Sequence, residues 1–533
     1  MSRRRVMGFS VLILILFMGV LCRVYWIATD TEYAASAGGQ TVSETALPVE
    51  RGNFLDCNGE LLTGWKKQWY ALCIPGDSSY ATLFPFVPFS AQTELYERRN
   101  SVTPFLIPVD TDLSRNGIFT VAGAQRCLPV PIARHLIGYL DGDGYGVTGL
   151  EKAYDDLLRA AGDETSVICT TSARGDLLSG TAPVLRTEKT GTASSVTLTL
   201  DTDLQRACEA VAQLSMPRGC ILVMEVGTGK IRADVSMPEF DPDNIARSIE
   251  ANDTSLIDRA FASFSAGSVF KVILATAAYE AGLDWFTHDC TGSVEIAGET
   301  FRCAQGRSHG LVNLRGALEQ SCNCYFIELG QLLGGQRILQ TAQRFGFGAP
   351  TSVAPGLKSS AGVLPSEASL QNVGQLASVS FGQGGLTVTP VQITAMMNAI
   401  AGDGTLYPAR FVESTEQNGG SEPVEPAAAS RACSEDIARV LRSMLVSVVT
   451  DGIGKKAAPD FGGAGGKTGT AQTGQFDADG TELLNYWFTG FWPAEDPRYT
   501  ITVLQDGTLE PETDSAELFA QIANALNVME NLS

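Results

Sequence analysis

The chain has 533 residues, 44% of them hydrophobic, and a formal net charge of −21. At roughly 100–200 residues per domain that length allows two to four domains, and the apolar content is ample for a large core. The charge excludes the usual nucleic-acid partner, because phosphate binding needs clustered Lys and Arg; it reads as a solubility feature rather than a site.

The first 28 residues differ from the rest. Arg3, Arg4 and Arg5 precede an apolar run from Val6 to Cys22, and Arg23, Tyr25 and Trp26 follow. About 20 such residues cross a hydrocarbon core, with Arg23 reaching back to the interface and the two rings in the headgroup belt. The upstream arginines favour a cytoplasmic N-terminus and an outside bulk. The rival is a cleaved signal peptide. Ala35-Ser36-Ala37 has the look of a cleavage site, but it lies well beyond the apolar run, after Arg23 and Asp30. The expected layout is a tail over 1–5 and a single-pass anchor over 6–28.

Residues 29–190 read as short strands, turns and a few helices. Asp110–Gly117 and Asp141–Gly146 are turn-rich, Glu151–Ala160 has helical periodicity, and Arg186–Ser195 is a small, polar linker. Val196–Leu200 then reads as a strand, and Asp201 as the cap of a helix. Cys220–Val226 and Ile231–Met237 form a hairpin pattern. Helical segments follow near 267–281, 312–333, 389–401 and 434–449, and the chain returns to strands in "GGKTGTAQ", "NYWFTGFWP" and "YTITVLQD". Strands at both ends with helices between them predict an α+β domain with an antiparallel sheet.

The 12 cysteines show no metal-finger spacing, and Cys322 and Cys324 make only a C-x-C. Cys290 and Cys303 are candidates for a disulfide outside the cytoplasm; the alternative is plain buried thiols. His135, His288 and His309 are the only histidines. They are scattered and read as structural, not as a metal site.

Ser268-Val269-Phe270-Lys271 holds a serine and a lysine three apart. On a helix that spacing puts both on one face. A serine hydroxyl is a weak nucleophile until a base removes its proton, and a lysine serves when burial and neighbouring charge lower its pKa. Gly267 permits a tight entry that leaves Ser268 near a helix start, where backbone N–H groups stabilise an oxyanion. Alone this S-x-x-K arises by chance. Two further motifs change its weight: Ser321-Cys322-Asn323 (S-x-N) and Lys467-Thr468-Gly469-Thr470 (K-T-G-T). The order S-x-x-K, S-x-N, K-T-G is the signature of penicillin-binding proteins and serine β-lactamases.

Beyond these motifs the chain resembles class B penicillin-binding proteins, the monofunctional D,D-transpeptidases of peptidoglycan synthesis. Arg51–Leu62 ("RGNFLDCNGELL") resembles that family's box near the anchor, and His135–Leu158 ("HLIGYL" with "GVTGLEKAYDDLL") its second pedestal box. "CILVMEVGTGKIRADVSMPEFDPD", "DRAFASFSAGSVFK", "HGLVNLRGALEQSCNCYF", "FGQGGLTVTPVQ" and "WFTGFWPAEDP" match further stretches, so the likeness runs along nearly the whole chain after residue 45. Cys57 stands where an Arg is usual, Phe264-Ser265-Ala266 replaces Tyr-x-Pro, and Asp451–Gly454 replaces a G-T-G. None touches the proposed catalytic groups.

The resemblance implies a transmembrane helix, an elongated mixed pedestal over 29–190, and a transpeptidase domain over 191–533 with an antiparallel sheet flanked by helices. It implies that Ser268 attacks the penultimate D-Ala carbonyl of a stem peptide and that Lys271 takes its proton. Ser321 and Asn323 would relay protons and hold the peptide, and Lys467 would set the electrostatics. Thr468, Gly469 and Thr470 would bind the substrate or β-lactam carboxylate, with the N–H groups of Ser268 and Thr470 as oxyanion hole. Trp487 either lines the groove or belongs to the core. Gly382-Gln383-Gly384 reads as packing, since it lacks a phosphate loop's context. The implied partners are stem peptides, β-lactams, the membrane and a separate polytopic glycosyltransferase, since no glycosyltransferase boxes precede the pedestal. No metal or organic cofactor is implied. A β-lactamase shares the motifs, but the run Glu482-Leu483-Leu484-Asn485, which resembles a lactamase's E-x-x-L-N, follows K-T-G instead of preceding it. A non-catalytic scaffold for a cell-wall synthase is the reading from another class.

Overall fold

A computed structural model describes residues 3–29, 42–127, 132–142, 144–171, 177, 182–189, 191–242, 245–251 and 254–532. The N-terminal segment is one helix, α1 (Arg3–Thr29). Its stretch Met7–Trp26 is 20 residues long with mean hydropathy 2.4 and none of it buried in protein, as suits a single membrane span. Ala35-Ser36-Ala37 lies outside the described residues.

The chain divides into two units, each drawn from separate stretches of sequence. The first takes residues 1–51, 65–126 and 160–191. It holds a three-stranded antiparallel sheet in the order Val42–Ala46, Glu164–Thr170, Val184–Glu188. A second sheet sets Gly64–Cys73 between Phe105–Val109 and Thr120–Cys127. Ala71, Leu95, Phe105, Ile107 and Val109 share its core.

The second unit takes 52–64, 127–159 and 192–533. A division into consecutive domains at 190/191 is therefore not what the contacts describe. The reason is burial: Phe54, Leu62, Leu136, Ile137, Leu150 and Leu158 enter one core with Val196, Leu198, Leu222 and Met224. Asn53–Leu55 pairs in parallel with Ser195–Thr197. Asp56 is buried and accepts N–H bonds from Asn58 and Glu60 at 2.8 Å and from Thr202 at 3.2 Å. The D-x-N-G turn thus closes over the start of helix α2 (Thr202–Ser215), whose cap is Asp201 as expected, accepting from Asp203 and Leu204.

The central sheet is antiparallel and five-stranded. Strands β1 (Gly219–Glu225) and β2 (Ile231–Met237) form the expected hairpin. After a helical layer come β3 (Gly465–Phe476), β4 (Glu482–Trp492) and β5 (Tyr499–Thr508), in the order β2-β1-β5-β4-β3. β1 is buried on both faces, so its run reads as continuous apolar sequence. Ile221 and Val223 pack with Leu204, Leu518, Phe519 and Ile522, from α2 and the terminal helix Ser515–Leu532. Cys220 points to the other layer, with Val272, Phe326 and Met396.

At the edge of β5 lies a buried charge cluster. Asp506 Oδ2 accepts from Arg259 Nε at 3.0 Å and Arg218 Nε at 2.9 Å, and the Arg259 side chain is only 1% exposed. Removing the carboxylate strands a guanidinium in the interior. Asp506→Ala is expected to cost about 3–5 kcal/mol of stability, read as a fall in Tm of the detergent-solubilised chain. An unchanged Tm contradicts it.

Candidate active site

Ser268 lies in a 3₁₀ turn, Gly267–Phe270, that runs straight into helix α3 (Lys271–Glu280). In 3₁₀ geometry residues i and i+3 eclipse one another. The S-x-x-K pair is therefore stacked more directly than in an α-helix. Ser268 is half-buried while Lys271 is fully buried.

The Lys271 ammonium donates to Asn323 Oδ1 at 2.6 Å, to Ser321 O at 2.8 Å and to Ser321 Oγ at 3.2 Å. One side chain thus joins the first two motifs across 50 residues of sequence. Burial lowers its pKa to about 7, the range a general base needs near neutral pH.

The sequence predicts one helix over 312–333; the structure has two. Helix Leu314–Glu319 ends and helix α4 (Asn323–Leu333) begins at the S-x-N turn. Cys322 N–H bonds to Ala317 O at 2.9 Å and Ser321 N–H to Leu318 O at 3.2 Å. This is a Schellman stop, with Ser321 at the left-handed position that glycine usually fills. Its φ is +50°, a strain of order 1–3 kcal/mol for a side-chain-bearing residue. The strain sits where the serine hydroxyl meets Lys271.

The third motif lies on β3. Lys467 is fully buried, and its ammonium donates to Thr468 O at 3.0 Å and Thr468 Oγ1 at 3.3 Å. Burial, and then the charge of Lys271, hold its pKa well below the ordinary lysine value. Gly469 is buried and pairs with Trp487, while Thr470 is exposed on the alternate face. Gly267, with φ +58°, lies so close to this strand that a Cβ there would meet Thr470 O at 2.6 Å. Ser268, Lys271, Ser321, Asn323, Lys467, Thr468, Gly469 and Thr470 are thereby placed around one locus.

Two supports of the Ser268 turn lie far off in sequence. Trp487 is a buried core residue, and its indole N–H donates to Ser265 O at 3.0 Å. It holds the strand before the Ser268 turn, Phe264–Ser265, which pairs with Thr387–Val388. Gly382 O accepts from Gly267 N at 2.9 Å, and a Cβ on Gly382 would lie 1.8 Å from Gly267 O. Gly382→Ala must push the Ser268 turn aside. Misplacement by about 1 Å costs roughly 10²-fold in rate, so any acylation of Ser268 should slow by that order. A rate within twofold of the parent contradicts the packing argument.

Glu482 and Asn485 are occupied elsewhere: Glu482 accepts from Gln472 and Gly474, and Asn485 accepts from Gly507 N at 3.0 Å. The histidines need one correction. His135 is buried, with Nε2 2.6 Å from Ser255 O, and burial pushes its pKa down to about 4. His309, however, is not isolated: its donor atom and those of Cys290, Cys303 and Cys322 all lie within 4.8 Å of one another. The pairing of Thr287–Cys290 with Gly310–Asn313 folds these distant residues together. Nor are Cys290 and Cys303 bridged; their sulfurs are 3.7 Å apart, against about 2.05 Å in a disulfide.

The family described as penicillin binding protein transpeptidase domain matches residues 219–526, more than half of the chain. The chain belongs to the class B penicillin-binding protein family. Among its relatives, stage V sporulation protein D of Bacillus subtilis is 30% identical over 419 residues, 75% of this chain and 63% of the relative. The chain thus matches less than two thirds of that relative's length. The probable peptidoglycan D,D-transpeptidase PbpC of Pseudomonas aeruginosa is 28% identical, covering 91% and 86% of the two chains. Among solved structures, penicillin-binding protein 3 of Mycobacterium tuberculosis complexed with aztreonam superimposes with TM-score 0.66 at 26% identity. It covers 91% of this chain and 97% of that one. The family's α+β transpeptidase fold is the fold described above.

Proposed function

We propose that the protein is a membrane-anchored peptidoglycan D,D-transpeptidase, open to covalent inhibition by β-lactams. The observation that carries this reading is the lysine of the first motif held by both polar residues of the second. Neutral Lys271 takes the Ser268 proton as Oγ attacks the carbonyl of the penultimate D-Ala. The N–H groups of Ser268 and Thr470 stabilise the oxyanion. Ser321, kept at hydrogen-bond distance from Lys271, passes the proton to the leaving D-Ala amine, and Lys467 supports that transfer electrostatically. Asn323 holds the peptide backbone, and the K-T-G-T strand at Thr468, Gly469 and Thr470 receives the terminal carboxylate. An amine from a neighbouring stem peptide then resolves the acyl-enzyme and completes the crosslink.

The apolar helix and its upstream arginines support a cytoplasmic N-terminus and a catalytic unit outside the membrane. The first unit is the pedestal in this reading, and glycan polymerisation falls to a separate polytopic glycosyltransferase. β-Lactam binding is supported by the aztreonam complex of the M. tuberculosis relative.

The test is intact-mass spectrometry of the full chain in detergent after incubation with benzylpenicillin. A single stable adduct is expected. Rapid drug hydrolysis without an adduct points to a β-lactamase, and neither adduct nor hydrolysis to a scaffold.

A further inference from the structure

Four donor atoms meet just behind the S-x-N turn. Cys290 Sγ lies 3.7 Å from Cys303 Sγ and 3.4 Å from His309 Nδ1, and Cys303 Sγ lies 3.8 Å from Cys322 Sγ. These are the edge lengths of a metal tetrahedron. With metal–sulfur bonds of about 2.3 Å, sulfur–sulfur edges come to about 3.8 Å; with a metal–nitrogen bond of about 2.0–2.1 Å, the sulfur–nitrogen edge comes to about 3.5 Å. Bare thiols gain little from such crowding, being weak donors and acceptors.

From this geometry we propose that Cys290, Cys303, His309 and Cys322 bind one zinc ion, and that the ion staples the S-x-N turn in place. Three sulfurs and one imidazole in a tetrahedron are a zinc donor set. Four protein ligands close the coordination sphere, so the site is structural and leaves no position for a reacting water. Binding displaces three thiol protons to solvent and leaves a centre of charge −1.

The surroundings suit that charge. The three cysteines are buried and His309 is half-buried. Cys322 caps α4, and its sulfur accepts the Tyr325 N–H at 3.4 Å. A helix N-terminus and an N–H···S bond both favour a thiolate. His309 N–H also bonds to Cys290 O at 3.1 Å, which ties two ligands through the backbone. Cys324, 3.5 Å from Cys303, stands outside the set of four.

The consequence for the active site comes through neighbours. Cys322 lies between Ser321 and Asn323, the two residues that hold Lys271. Asn323 Nδ2 donates to Arg302 O at 3.0 Å, next to Cys303. An ion shared by Cys303 and Cys322 therefore clamps both supports of Asn323. It also restrains Ser321 in its left-handed conformation. The ligands are positioning residues: they act through Ser321 and Asn323, which flank Cys322 and hold Lys271.

The spacing C-x₁₂-C-x₅-H-x₁₂-C follows from residues 290, 303, 309 and 322. It escapes recognition because the pairing of Cys290 with Gly310, not short sequence spacing, assembles the site.

The binding claim is independent of the transpeptidase reading, and its test uses metal content. The full chain is purified in detergent and exposed to zinc chloride, excess is removed, and metal is counted by mass spectrometry. About one zinc per chain is expected, falling several-fold in Cys303→Ser and His309→Ala and retained in Cys324→Ser. No zinc in the parent, zinc retained in both ligand variants, or a disulfide-linked peptide joining any two of the three cysteines overturns the site. Should the ligand variants fail to fold, cobalt substitution of the parent decides: intense thiolate-to-cobalt absorption is expected, and its absence overturns the site. Hydrogen exchange over 321–325, compared with and without a chelator, tests the staple. Faster exchange on metal removal is expected, and unchanged exchange overturns it.

Discussion

Ser268→Ala is expected to abolish the penicillin adduct while leaving the protein folded. The hydroxyl is half-buried and forms no hydrogen bond among the described residues, so its loss leaves no stranded partner. The backbone of the turn is held by other groups: Gly382 O on Gly267 N, and Trp487 on Ser265 O. Alanine preserves Cβ and removes only the hydroxyl proposed as nucleophile. Loss of a covalent nucleophile costs on the order of 10³–10⁶ in rate, so acylation should fall below detection. The measurement is intact mass on parent and variant, with Tm as the fold control. An adduct that persists at another residue in a folded variant removes Ser268 from the mechanism.

Lys271 carries the second large effect. Burial lowers its pKa from 10.5 to about 7. Only the neutral amine accepts the Ser268 proton. Below that pKa the base is protonated, so acylation should fall about tenfold per pH unit; above it the rate should level off. The direction follows from a base that works deprotonated. Lys271→Met should lower the acylation rate by about 10²–10⁴-fold and flatten this limb. A parent rate independent of pH between 5 and 8, on the order-of-magnitude scale set by that base, removes Lys271 as the base. Asn323→Ala gives a useful contrast: it removes the 2.6 Å acceptor that holds the ammonium, so the limb should move and not vanish.

The apolar N-terminal helix, the hairpin of β1 and β2, the closing strands and the three motifs are legible in sequence, because each is a local pattern. A 20-residue apolar run is long enough to cross a hydrocarbon core, and Asp201 caps its helix with contacts two and three residues away. The S-x-x-K spacing brings its own geometry, since residues three apart share a face in either helix type.

What depends on partners distant in the chain carries no local pattern and comes from packing. The Arg51–Leu62 and His135–Leu158 boxes read as parts of the pedestal, yet 52–64 and 127–159 belong to the second unit because their apolar residues share a core with β1. The predicted single helix over 312–333 breaks at Ser321, since a Schellman stop without glycine carries no local signal. The support that Gly382 lends to Gly267 is likewise invisible in spacing. So is the gathering of Cys290, Cys303, His309 and Cys322, which strand pairing alone brings within reach of one ion.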